Sequence, residues 1–417
     1  MKLYNTLSRR KEVLLARQRP ISVYVCGITP YDTTHLGHAF TYINTDVLIR
    51  YLEYRGSAVR YVQNVTDIDD DILRKAGTID EDWKGLGDRW TAHFIRDMQS
   101  LNARPPERFP RATETIPEII EVVQKLLANG VAYEAAGNVY FDLTSWPEYG
   151  KLSELSYEEM LPIANERGNR PDDPHKRDPL DFVLWQAQAP GEPAWESPWG
   201  LGRPGWHIEC TSMAMRYLGN TVDVHGGGSD LIFPHHESEI AQAECAIGEK
   251  PFVRFWMHTA MVHHEGEKMS KSLGNLVMVR DLLETWSPDA IRLYLSRHHY
   301  REVWHYDEEA LREAAQWAHK LRSAVVADSG RGPALDPASA VAAFIQAMDD
   351  DLQTPEALPV LSQLADDVLS SSECGQDVGA AQEALREMSG VFGLRLDANT
   401  PEQRVLEGWD EHLQDFV

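Results

Sequence analysis

Two short strings in this chain hold the residue types that phosphate chemistry needs. His35-Leu36-Gly37-His38 follows an apolar run at residues 21–25 (ISVYV) and opens a helically periodic stretch. A helix start offers unpaired backbone N–H groups and the positive end of the dipole, which suits a triphosphate. Gly37 lets the backbone approach, while His35 and His38 can stabilise charge as an α-phosphate is attacked. Lys268-Met269-Ser270-Lys271-Ser272 lies just after a later strand signal. Two lysines in a small-residue loop can close over a departing pyrophosphate. Taken alone, the first string reads better as a surface pair and the second as a solvated basic loop.

A second set has the character of metal ligands. Cys26 ends the first strand run, Cys210 ends GRPGWHIEC, and His235 opens His235-His236-Glu237-Ser238-Glu239. On a helix, positions i and i+4 share a face, so His235 and Glu239 can point at one ion. Two thiolates, an imidazole and a carboxylate suit tetrahedral zinc. Taken singly, each cysteine reads as a small buried hydrophobe. Gly226-Gly227-Gly228-Ser229-Asp230 follows a strand run (TVDV). It offers either a plain glycine turn or a close approach for a nucleotide, with Asp230 holding a ribose hydroxyl or an ammonium group.

The elements that must position these residues follow from periodicity. Residues 21–25 predict a buried strand, 37–54 a helix stopping at Gly56, and 58–65 (AVRYVQNV) the next strand. Strand, helix, strand at this spacing predicts a parallel, nucleotide-binding sheet, hence an α/β fold. The expected domains are 1–106, the first half of a Rossmann-like catalytic domain; 107–204, an inserted subdomain rich in proline, glycine and tryptophan; 205–287, the second half with the lysine loop; and 288–417, a short, acidic helical domain. Within 205–287, strands are expected at 221–224 and 255–262, with a helix from His235 onward. Helical breaks are expected near 329–337 and 370–377. There is no internal repeat.

At 417 residues the chain calls for two or three domains. Its basic start lacks an apolar region behind it, and no run approaches the roughly 20 apolar residues of a membrane span. The expectation is a cytoplasmic protein with no membrane partner. Four scattered cysteines without a CxxC pair exclude a small secreted disulfide framework. The net charge of −25 opposes casual binding to a polyanion. Residues 326–417 hold four arginines against eighteen acids, so this tail is a poor nucleic-acid surface.

The ordered segments CGITPYDTTHLGHA, YVQNVTDIDD, KRDPLDFVLW, GRPGWHIEC, HGGGSDLIFPHHE and GEKMSKSLGN resemble the cysteine-activating branch of the class I aminoacyl-tRNA synthetases. That branch comprises cysteinyl-tRNA synthetase and the mycothiol-pathway cysteine ligase. The resemblance covers about residues 2–394 and implies a Rossmann-like catalytic domain with an inserted subdomain and a C-terminal helical bundle. It implies Cys26, Cys210, His235 and Glu239 as zinc ligands. It implies Gly27, Ile28, Thr29, Thr41, Asn64, Val65, Thr66, Trp206, Gly228, Ser229, Asp230 and Val262, together with Cys26, around cysteinyl-adenylate. His35, His38, Lys268 and Lys271 match the ATP-handling motifs. The implied cofactors are Zn2+ and ATP with Mg2+, and the implied substrate is L-cysteine.

The acceptor is where the branch divides. GITPYD, the spacer ANERGNRPDDPHKRDPLD, and the chain's end soon after Phe392-Gly393-Leu394 favour the ligase that joins cysteine to the amine of glucosaminyl-inositol. Glu239 and DLIFPHHESEIAQAE favour the tRNA synthetases, with tRNA as acceptor. The first is the leading expectation, the second its alternative. A non-catalytic paralogue is disfavoured because both ATP-handling strings are intact.

Overall fold

The computed structural model describes residues 1–15, 19–32, 34–269 and 274–396. An N-terminal hairpin, β1 (Lys2–Asn5) and β2 (Arg10–Val13), leads into β3 (Ile21–Ile28), α1 (Leu36–Tyr54) and β4 (Val59–Val65). Next come α2 (Asp70–Ile79), α3 (Trp83–Ser100), α4 (Ile116–Ala128), β5 (Ala132–Ala135), β6 (Asn138–Phe141), α5 (Tyr157–Glu166), β7 (Phe182–Ala187) and β8 (Gly202–Pro204). The chain returns through α6 (Trp206–Leu218), β9 (Val222–Gly228), α7 (Glu237–Ile247) and β10 (Val253–Thr259). It then forms β11 (Val262–His264), β12 (Glu267–Lys268), α8 (Val279–Thr285), α9 (Pro288–Ser296) and β13 (Trp304–His305). A helical bundle closes it: α10 (Glu308–Val325), α11 (Ala338–Asp349), α12 (Thr354–Glu373) and α13 (Gly379–Val391).

The central sheet is parallel, in the order β10-β9-β3-β4. Helices cover both its faces, which is why β3 reads as a nearly unbroken apolar run rather than an alternating one. Strand order reverses between β3 and β9, and a crevice opens beyond the carboxyl ends of the strands there. β5 to β8 make a separate antiparallel sheet inside 107–204, an element the composition of that stretch did not disclose. α1 is buried on most of its surface, lying between the sheet and α9 and α13. No helix among the described residues is long and apolar enough to cross a membrane.

Three expectations shift. β3 runs on to Ile28, with a register break between Val25 and Ile28 where the Gly27 N–H turns from the ladder to the Asn64 side chain at 2.8 Å. Residues 255–262 are not one strand. The Ala260 N–H donates to the Tyr300 carbonyl at 2.7 Å, and Val262 then pairs with Trp304 in another sheet. The helix foreseen from His235 begins at Glu237, after a wide turn over Ile232–His236.

Candidate active site and metal centre

Four side chains from three parts of the sequence converge at the crevice. Cys26 comes from the end of β3, Cys210 from α6, His235 from the wide turn and Glu239 from α7. Their ligand atoms all lie within 4.8 Å of one another, and all four residues are buried. His235 Nε2 is 3.1 Å from Glu239 Oε1 without the alignment of a hydrogen bond. Cys26 Sγ is 3.5 Å from the same carboxylate oxygen. Burial pushes the Cys210 thiol up, but the Cys26 hydrogen bond and the charge of His235 outweigh it and bring it down to about 6. Burial also opposes charge on His235 and Glu239. Even so, Cys210 and Glu239 lift the imidazole to about 10, and His225 and His235 bring the carboxyl to about 2. A buried cluster that already separates charge this way, with soft and borderline donors facing one point, fits a tetrahedral zinc ion.

A layer of imidazole and indole rings supports the cluster. Trp206 stacks on His235 at 4.4 Å, and Trp256 lies against His225 at 4.6 Å and His236 at 4.9 Å. His225 and His236, with Cys26 and Glu239, form a second possible ligand set sharing two members with the first. Burial drives both His236 and His258 below the usual imidazole range, so these rings are neutral. Gly227 is required here: a β-carbon on it would come within 2.9 Å of the His236 ring.

At the start of α1, His35 is the N-cap, its Nδ1 accepting from the Gly37 N–H at 3.1 Å. His38 stacks on it with ring centroids 3.8 Å apart. Backbone bonds from Leu36 to Val277 and from Val279 to Thr34 tether this turn to the segment that follows the lysine loop. Lys268 lies on β12, and Lys271 lies outside the described residues. Asn64 bridges Gly27 and Thr66, and Thr41 meets Thr259 at 2.7 Å. Thr29 and Trp206 line the crevice, a cleft of about 1860 Å³. Ile28, Val65 and Val262 are packed in the core. Gly228 ends β9, and Ser229 and Asp230 form the following turn, with Asp230 facing Arg167 at 3.7 Å.

A family model described as the tRNA synthetases class I (C) catalytic domain matches residues 12–316, and a DALR domain matches 343–397. The chain belongs to the class I tRNA synthetase family. A cysteine–tRNA ligase of Dehalococcoides mccartyi is 45% identical over 95% of this chain and 86% of its own length. Those of Shewanella piezotolerans and Thermococcus onnurineus are 45% and 44% identical, over 95% and 94% of this chain and 87% and 86% of theirs. Among solved structures, Mycobacterium tuberculosis methionyl-tRNA synthetase with methionyl-adenylate shares the fold at TM-score 0.63 and 17% identity, covering 96% of this chain and 93% of its own. A leucyl-tRNA synthetase ternary complex from Agrobacterium radiobacter K84 does so at 0.65 and 10%, covering 94% and 85%.

These relatives bear on the acceptor. The leading expectation, an amino-sugar ligase, finds no support in them, and its alternative fits better. The spacer that favoured it, residues 164–181, is the end of α5 and a loop lining the cleft, where Arg167 faces Asp230 and Lys176 bonds to Asn169 within the loop. Position-by-position reading of the family motifs missed the supporting rings: His207, His225, His236, His258 and Trp256. The available signal was a histidine at or near the end of each buried segment, in PGWHIE, DVHGGG, FPHHE and FWMHT.

Proposed function

We propose that this synthetase-family protein is a cysteine–tRNA ligase. It joins L-cysteine to AMP from Mg-ATP, then passes the cysteinyl group to a tRNA. The observation that carries the reading is the meeting of Cys26, Cys210, His235 and Glu239 within 4.8 Å at the end of β3, the strand that leads into α1. The names of relatives matched over nearly the whole chain support it. Bound at these four residues, zinc supplies a soft Lewis acid for the substrate's thiolate, which the harder, less acidic hydroxyl of serine matches poorly.

The chain's own residues do the rest. Trp206, stacked on His235, walls the thiol pocket, while Ser229 and Asp230 hold the polar end of the substrate. His35 and His38, at the α1 N-terminus, bind the triphosphate as a cysteine carboxylate oxygen attacks the α-phosphorus. The bond to pyrophosphate breaks, with Lys268 and Lys271 compensating its charge. In the second step a terminal ribose hydroxyl of tRNA attacks the carbonyl carbon, AMP leaves and a proton is lost to solvent. Cysteine is distinguished at binding, so no editing domain is needed.

The test is AMP release by the purified protein with cysteine and ATP, with either cysteine tRNA or glucosaminyl-inositol added. Stimulation by tRNA and formation of cysteinyl-tRNA are expected. Stimulation by the amino sugar alone would overturn the acceptor, and absence of cysteine-dependent ATP–pyrophosphate exchange would overturn activation itself.

A further inference from the structure

A line of hydrogen bonds runs from Cys26 out of the crevice to the first strand of the chain. Cys26 Sγ lies 3.3 Å from His236 Nε2, His236 Nδ1 lies 2.7 Å from His258 Nε2, and His258 Nδ1 lies 2.8 Å from Thr6 Oγ1. All four residues are buried, Thr6 at 3% exposure. Thr6 is held by its own N–H, which donates to the Trp256 carbonyl at 2.9 Å. Its neighbour Asn5 bonds to Arg254 and Trp256, so the strand end is fixed on β10.

The protons in this line have only one consistent order once Cys26 is a thiolate. A thiolate accepts and cannot donate, so His236 Nε2 carries a hydrogen and its Nδ1 is an acceptor. His258 Nε2 must then donate to it, which leaves His258 Nδ1 as an acceptor in turn. That nitrogen needs a donor, and the group facing it is the Thr6 hydroxyl. If Cys26 were instead a thiol that donated, every bond could run the other way and Thr6 would accept. A hydroxyl is the side-chain group that serves both directions.

We infer that Thr6 is a positioning residue for the proposed cysteine-activation site, setting through His258 and His236 the hydrogen bond that His236 donates to the Cys26 thiolate. The inference rests on the zinc-ligand reading of Cys26. Its consequence is that the N-terminal hairpin, remote in sequence from every motif, shapes the metal centre. Removing the hydroxyl leaves His258 Nδ1 facing a methyl group. The ring then turns or exchanges tautomer, and His236 loses its fixed donor direction toward sulfur.

The experiment compares the full-length wild type with Thr6→Val, which keeps shape without the hydroxyl, and Thr6→Ser, which restores the hydroxyl. Each is loaded with Co2+ for thiolate-to-metal absorption, with Zn2+ against a chelator for affinity, and assayed for ATP–pyrophosphate exchange. Thr6→Val is expected to shift the sulfur-to-cobalt band, weaken zinc roughly tenfold and raise the cysteine KM more than it lowers kcat. Thr6→Ser should return all three toward wild type, and thermal unfolding should differ little among the three proteins. A Thr6→Val protein with wild-type band, affinity and KM would overturn the inference, as would a Thr6→Ser protein as impaired as Thr6→Val. A wild type that binds neither metal defeats the zinc reading itself, a separate outcome.

Discussion

Gly27 occupies the point where β3 and β4 draw together at the mouth of the site. A β-carbon there would lie 1.4 Å from the Asn64 carbonyl oxygen, with no flexible side chain to give way. Gly27→Ala must therefore part the strands beside Cys26 and Asn64. The expected cost is about 3 kcal/mol, read from urea unfolding. A variant as stable as wild type would show that the strands separate freely. The proposed zinc quartet makes a different demand, because its two cysteines, histidine and glutamate are buried together around one point, and losing one of them should cost the metal before it costs the fold. Cys210→Ala is expected to reduce bound zinc from stoichiometric to trace amounts by elemental analysis. Cysteine-dependent exchange should fall by roughly a hundredfold or more. Chelation of the wild type should reproduce that loss, and zinc should reverse it. Exchange that survives in demonstrably zinc-free protein would refute the metal's role.

At the scale of elements, α1 does two jobs at one end. His35 caps the helix through its Nδ1 and belongs to the string proposed to bind triphosphate. Substitutions separate the jobs: asparagine is a strong cap without an imidazole, and alanine is neither. His35→Ala should lower stability by about 1 kcal/mol and His35→Asn by much less, while both lose most of the exchange rate. Wild-type exchange in His35→Asn would reduce the histidine to a cap. The β3–α1–β4 unit was legible in advance because its signals are local: a buried run, a helical period, a glycine stop. The same locality explains the failures. Nothing within residues 255–262 reveals that Ala260 will bond to Tyr300, forty positions on, and divide the strand. The antiparallel subdomain was hidden because its strands are short and lie among prolines and tryptophans. The four residues that converge at the crevice could be named from the family motifs. The Thr6–His258–His236 line could not, because it is made of pairings between β1, β10 and the turn before α7.

Across the whole molecule, two buried charged residues tie the sheet domain to the helical bundle. Asp351, in the turn between α11 and α12, is fully buried. It accepts from the Tyr4 N–H at 2.7 Å, the Tyr300 hydroxyl at 2.6 Å and the Arg301 guanidinium at 2.6 and 2.9 Å. Arg292, on α9, bonds to Asp46 of α1, to the Leu101 carbonyl at 2.9 Å and to the Phe392 carbonyl beyond α13. Gly393 leaves room for that guanidinium, since a β-carbon there would meet it at 2.4 Å. Removing either tie strands polar partners in the interior, so Asp351→Ala and Arg292→Met should each cost about 3 kcal/mol. The ties share none of the partners described here. If the protein unfolds as one unit, the double variant should show the sum of the two losses within about 0.5 kcal/mol. If the bundle undocks first, the first substitution already releases the second contact, and the double variant should be little worse than either single one. Urea curves followed by tryptophan fluorescence and by circular dichroism distinguish these cases. Coincident transitions with additive losses mark a single cooperative unit, whereas separated transitions with a shortfall mark a bundle that leaves the sheet on its own.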